Sequence, residues 1–196
     1  MSFDNNNVSD EEMIELIRGD SDEAMDALLN RYRPLVSKKA NALFIMGGES
    51  EDLNQEGMIG LYKAIRDYNP DSSASFYTFA SVCISRQMYK AVEASARKKH
   101  SPLNSYVSLE NQDGSDEPTY LSDLGNSDPQ EMYVERENYE RIALLAKDIL
   151  SPYERKVLTL YLEGMRTSEI SSVLEKEPKS VDNAISRIRS KIQSRL

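Results

Sequence analysis

A chain of 196 residues with 39% hydrophobic side chains has room for one medium domain or two small ones with apolar cores. No stretch approaches the ~20 apolar residues that span a bilayer, and residues 1–10 are acidic and polar, unlike a signal peptide, so a cytoplasmic protein with no membrane partner is expected. One cysteine, Cys83, leaves no internal disulfide, and one histidine, His100, leaves no Cys/His zinc site, so neither metal nor cofactor is expected.

Helix start signals recur along the chain, and period-2 alternation is absent. Ser9 with Glu12, Asp128-Pro129 with Glu131, and Ser151-Pro152 with Glu154 each place an acceptor at the N-cap and a carboxylate three residues on. Helices are expected near 10–18, 21–45 (bent at Pro34), 51–68 and 76–98. Residues 101–129, rich in Pro, Gly, Ser, Asn and Asp, read as an extended acidic linker. A second helical set follows at 130–149, 152–163, 168–174 and 178–194. The expected fold is all-α: two helical domains, 1–100 and 130–196, joined by the linker.

The net charge of −9 argues against nucleic acid as an average, but the charge is unevenly placed. Residues 1–30 have Arg18 as their only base, and 105–140 have only Arg136. The cations gather in 86–100 (Arg86, Lys90, Arg97, Lys98, Lys99) and in 176–195 (Lys176, Lys179, Arg187, Arg189, Lys191, Arg195). Two basic helices on an acidic chain suit two anion contacts; each also fits a solvated face.

In the second set, Val157, Leu158 and Tyr161 form an apolar stripe that stops at Gly164 and restarts with Ile170, Val173 and Leu174. After Pro178, the residues Val181, Ile185, Ile188 and Ile192 share one face, leaving Lys179, Ser180, Asn183, Arg187 and Ser190 largely outward. This is a helix-turn-helix pattern whose second helix offers Arg and Asn to base edges and Lys and Ser to phosphates. An ordinary three-helix bundle has the same periodicity.

In the first set, 75–100 interleaves Phe76, Tyr77, Phe79 and Tyr89 with a basic C-terminal half, a combination suited to stacking exposed bases. Aromatics at this spacing equally build a core, the expected place of Phe79 and Val82. The preceding helix, with DLNQEGMIGLYKAI at 52–65, carries Gly57 and Gly60, each costing about 0.8–1 kcal/mol relative to alanine in an exposed helix.

ESEDLNQEGMIGLYKAIRDYNP, then SFYTFASVCISRQMYKAVEASARKKH, then the terminal helix-turn-helix resemble regions two and four of bacterial RNA polymerase sigma factors. LIRGDSDEAMDALLNRYRPLV and RQMYKAV with RKKHSPLNSYVSL resemble most the alternative sigma-H type of stationary phase and sporulation. The resemblance implies a non-enzymatic factor that binds core polymerase, recognises promoter DNA and assists its opening, with an anti-sigma factor as a further candidate partner. Domain 1–100 would then bind polymerase and the minus-ten element, and domain 130–196 the minus-thirty-five element.

By the same carry-over, Asp52, Gln55, Glu56, Ile59 and Tyr62 would dock on polymerase. Leu53, Gly57, Gly60, Leu61 and Ala64 would face inward, the glycines admitting a neighbouring helix. Phe76, Tyr77 and Phe79 would capture flipped bases, and Arg86, Tyr89 and Lys90 would meet the upstream base pair. Lys179, Ser180, Asn183 and Arg187 would read the minus-thirty-five element. Val82 and Cys83 stand where housekeeping sigmas carry a tryptophan pair, which implies a narrower promoter set. The rival reading is a helix-turn-helix regulator with a ligand- or partner-binding N-terminal domain. A small hydrolase fails for want of metal-ligand spacing, a phosphate-cradling loop or a nucleophile–base pair.

Overall fold

The computed structural model describes residues 8–48, 53–71, 73–100, 142–144 and 146–195, with 96–100 described by backbone alone. The expected linker, the start of the 130–149 helix with its Asp128 cap, and Asp52 lie outside the described residues.

Every regular element among the described residues is helical. The N-terminal unit comprises α1 (Asp10–Arg18), α2 (Asp22–Ile45), α3 (Leu53–Asp67) and α4 (Phe76–His100). After a helical stretch at 142–144 and 146–149 come α5 (Pro152–Leu162), α6 (Thr167–Leu174) and α7 (Pro178–Gln193). The expected starts are realised chemically. Ser9 and Glu12 form a reciprocal capping box, as do Ser151 and Glu154, each satisfying two backbone N–H groups that a helix end leaves open. The helix α2 runs through Pro34 as one element.

Asp10 fastens α1 to α2. One carboxylate oxygen accepts from Arg31 Nη1 at 2.7 Å and the other from the Tyr32 hydroxyl. Burial and the adjacent Asp10 carboxylate both push the Tyr32 pKa upward. The core beneath is apolar, with Met13, Ile14, Leu28, Leu61, Ile84 and Met88 fully buried. Lys39 lies inside too, its ammonium donating to Ser85 Oγ on α4 at 2.9 Å.

A second core gathers Val157, Leu158, Ile170, Val181, Ile188 and Ile192, matching the expected stripes. Val173 departs from expectation: it is 58% exposed, because the helix α6 turns Ile170 and Ser171 inward instead. The turn into α7 passes through Glu175 in the left-handed conformation (φ 52°), a place glycine usually takes. Ser171 Oγ donates to the Lys176 carbonyl there, satisfying a backbone acceptor within the turn.

Candidate polymerase and DNA interfaces

The helix α3 has two unlike faces. Leu53, Gly57, Gly60, Leu61 and Ala64 are buried, as the family resemblance implied. A β-carbon added at Gly60 would lie 2.8 Å from the Cys83 carbonyl oxygen and 2.9 Å from the Ile84 α-carbon, so the two backbones meet at glycine distance. At Gly57 it would strike the Met88 and Val36 side chains. On the opposite face Gln55 is exposed, Tyr62 is 51% exposed and Ile59 is exposed as well. Glu56, also expected outward, is half-buried, and one of its oxygens accepts from Gln87 Nε2 at 2.8 Å.

Along α4 the aromatics separate. Tyr77 is 55% exposed, whereas Phe76 is fully buried between Tyr32 and Tyr68, with edge-on ring contacts at 5.1 and 5.3 Å. The expected role of Phe76 in capturing bases is therefore corrected: its ring is packed inside between Tyr32 and Tyr68, and it is the Tyr32 ring that meets Tyr77, at 6.3 Å. Phe79 is half-buried against the Tyr68 ring, and Val82 is buried.

A small cavity of about 60 Å³ opens between α3 and α4, lined by Phe79, Arg86 and Lys90 together with Lys63, Asp67 and Gln87. Three cations against one carboxylate make it locally basic on an acidic chain. Tyr89 is half-buried and is not among the residues lining it. Sequence reading missed Lys63 and Gln87, although Lys63 stands three residues after Gly60 and so shares its face. Lys63 Nζ donates to Gln87 Oε1 at 2.9 Å, so Gln87 links it to Glu56.

The outward face of α7 carries Lys179 and Asn183, both exposed, while Val181, Ala184, Ile185 and Ile188 are buried. Ser180 is half-buried rather than outward, its hydroxyl 3.4 Å from that of Tyr153. Arg187 is exposed, with Nε 3.6 Å from Glu154 Oε1. Lys191 Nζ donates to the same carboxylate at 2.8 Å. Burial alone would raise the Glu154 pKa, but the Lys191 and Ser151 hydrogen bonds outweigh it and hold the carboxyl down at about 2. Among the described residues no cluster of metal-ligating side chains occurs, and no helix is long and apolar enough to cross a membrane.

The family model Sigma-70 region 2 matches residues 28–98, and Sigma-70, region 4 matches residues 133–192. The chain is 43% identical over 195 residues to the RNA polymerase sigma-H factor of Bacillus licheniformis, covering 96% of this chain and 87% of that protein. It is likewise 43% identical to the sigma-H factor of Bacillus subtilis, covering 96% and 89%. A crystal structure of the RNA polymerase sigma-H factor from Fusobacterium nucleatum is 31% identical over 74% of this chain and 92% of that one, with a TM-score of 0.32. The matched regions fall on the two helical units in the order their motifs require, and the chain belongs to the sigma-70 family of RNA polymerase sigma factors.

Proposed function

We propose that the two-faced helix α3 docks this chain on core polymerase, while α4 and α7 address two separate promoter elements. The chain is an alternative sigma factor that directs RNA polymerase to promoters. Its work is cytoplasmic and non-catalytic, and an anti-sigma protein is a further candidate partner. The region-two match over 28–98 displaces the rival reading, a regulator with a ligand-binding N-terminal domain.

The observation that carries the docking assignment is the exposure of Ile59 and Tyr62 on a helix whose other face is packed at glycine distance. Large apolar side chains beside Gln55 form a compact patch of the kind that anchors an interface. Residues 1–100 act as the polymerase and minus-ten unit, 101–129 as the linker, and 130–196 as the minus-thirty-five unit. Within them Tyr77 and Phe79 stack bases, Arg86, Tyr89 and Lys90 meet the upstream base pair, and Lys179, Ser180, Asn183 and Arg187 face the minus-thirty-five element. The test is Ile59→Glu with Tyr62→Ala. Affinity for core polymerase falls by about thirtyfold or more, the loss of one interface anchor, with helicity by circular dichroism unchanged. Undiminished binding would remove the docking face.

A further inference from the structure

Gln87 follows Arg86 on α4 and lines the basic cavity with it. Its amide is held at both ends by α3. Nε2 donates to Glu56 Oε2 at 2.8 Å, and Oε1 accepts from Lys63 Nζ at 2.9 Å. A carboxylate can only accept and an ammonium can only donate, so one orientation of the amide fits between them. Turning it over would set oxygen against oxygen and N–H against N–H.

Two hydrogen-bonding positions on the amide are left over: the second N–H of Nε2 and the second lone pair of Oε1. They put a donor beside an acceptor, in fixed order, on a side chain that is half-buried instead of swinging in solvent. In the major groove adenine presents the complement, an N6–H donor beside the N7 acceptor, and a glutamine amide pairs with both. Guanine offers two acceptors at the same places, so Oε1 would face O6 unpaired. A plain clasp between α3 and α4 explains less, because Gly60 already brings the two backbones together. Nor does a clasp need to stand beside Arg86 and Lys90 on the rim of a basic cavity.

We infer that Gln87 is a further specificity-determining residue, reading an adenine of the minus-ten element next to the base pair met by Arg86, and that Glu56 and Lys63 are positioning residues that fix its amide. The inference rests on the proposed reading of α4 as the minus-ten helix. Glu56, expected on the polymerase-docking face, thereby serves the DNA-reading helix through Gln87.

The test uses holoenzyme made with saturating amounts of the full chain, so that polymerase affinity does not enter. Transcription is measured from cognate promoters carrying each of the four bases at each minus-ten position. Gln87→Ala narrows the spread by about five- to a hundredfold at one position, adjacent to the one that Arg86→Ala affects. Gln87→Arg moves the preference there from adenine to guanine. Glu56→Gln, which offers N–H as well as oxygen to the Gln87 amide, relaxes the same position and leaves the Arg86 position as it was. An even loss on all bases with Gln87→Ala, or adenine still preferred with Gln87→Arg, would overturn the inference and leave Gln87 a clasp between helices. Should Gln87→Ala lose helicity, the other two variants decide. If Arg86→Ala also changes no position, the reading of α4 as the minus-ten helix fails, whereas a change with Arg86→Ala alone removes only the role of Gln87.

Discussion

A β-carbon on Gly60 would stand 2.8 Å from the carbonyl oxygen of Cys83, a residue on the neighbouring helix. Nothing at the end of a flexible side chain is involved, so no rotamer change relieves the clash. The helical cost of glycine is offset by this approach, which seats α3 directly on α4.

The contrast with Gly57 makes the point testable. In an exposed helix, alanine in place of glycine stabilises by about 1 kcal/mol. Here Gly60→Ala destabilises the chain by about 1–3 kcal/mol through overpacking. Gly57→Ala costs less, because its obstacles, the terminal methyl of Met88 and, at 2.7 Å, a methyl of Val36, are side-chain atoms that can repack in part, whereas at Gly60 the obstacle is backbone. Denaturant unfolding of both variants measures the order.

What sequence could and could not reveal follows from range. The inward stripe of α7 was legible because burial repeats every 3.6 residues, the Ser9 and Ser151 caps because they are local chemistry, and the inward set of α3 through the family resemblance of its motif. Phe76 was not: periodicity placed it on a helix among aromatics but could not tell which ring lies under Tyr32 and which, like Tyr77, lies outside. Lys39 reaching Ser85, and Ile45 entering the second core, depend on residues far along the chain, so no window of sequence contains them. Arg189 shows the same limit. It reads as one more cation of a DNA-facing helix, yet it sits over Phe44.

Acid tests the Glu154 clasp. Its carboxyl pKa is held at about 2 when folded, against an ordinary value of 4.5. A depressed folded pKa contributes stability that is full above the ordinary value and is lost as pH falls toward the folded one. Glu154→Gln therefore destabilises by about 1–2 kcal/mol at neutral pH, discounted because Lys191 is partly exposed. Its deficit relative to wild type shrinks between pH 5 and 2. A deficit constant across that range in thermal melts would deny the clasp its ionised state.

Arg86 lines the basic cavity with Lys63 and Lys90, and its planar fork can satisfy two acceptors on one guanine edge. Arg86→Ala lowers transcription from the cognate promoter and narrows the spread among the four bases at the upstream minus-ten position by about 1–3 kcal/mol. Lys63→Ala lowers all four alike. Transcription from four promoter variants measures both; an equal loss on all four for Arg86→Ala makes it a phosphate contact.

On the helix α7, Arg187 leans toward Glu154 whereas Lys179 is exposed at the first turn. Arg187→Ala flattens preference within the minus-thirty-five element, and Lys179→Ala weakens every sequence and makes the salt dependence shallower. Holoenzyme binding to matched and mismatched elements at several salt concentrations distinguishes the two roles.

The central claim is that this chain gives core RNA polymerase its promoter. Purified protein is mixed with core polymerase and a template library of its own genome, and the start sites are mapped. The account predicts initiation at a restricted set of sites sharing two spaced elements, lost when Ile59→Glu with Tyr62→Ala replaces the wild type. Initiation no more selective than core polymerase alone, or selectivity unaffected by that double variant, would contradict it.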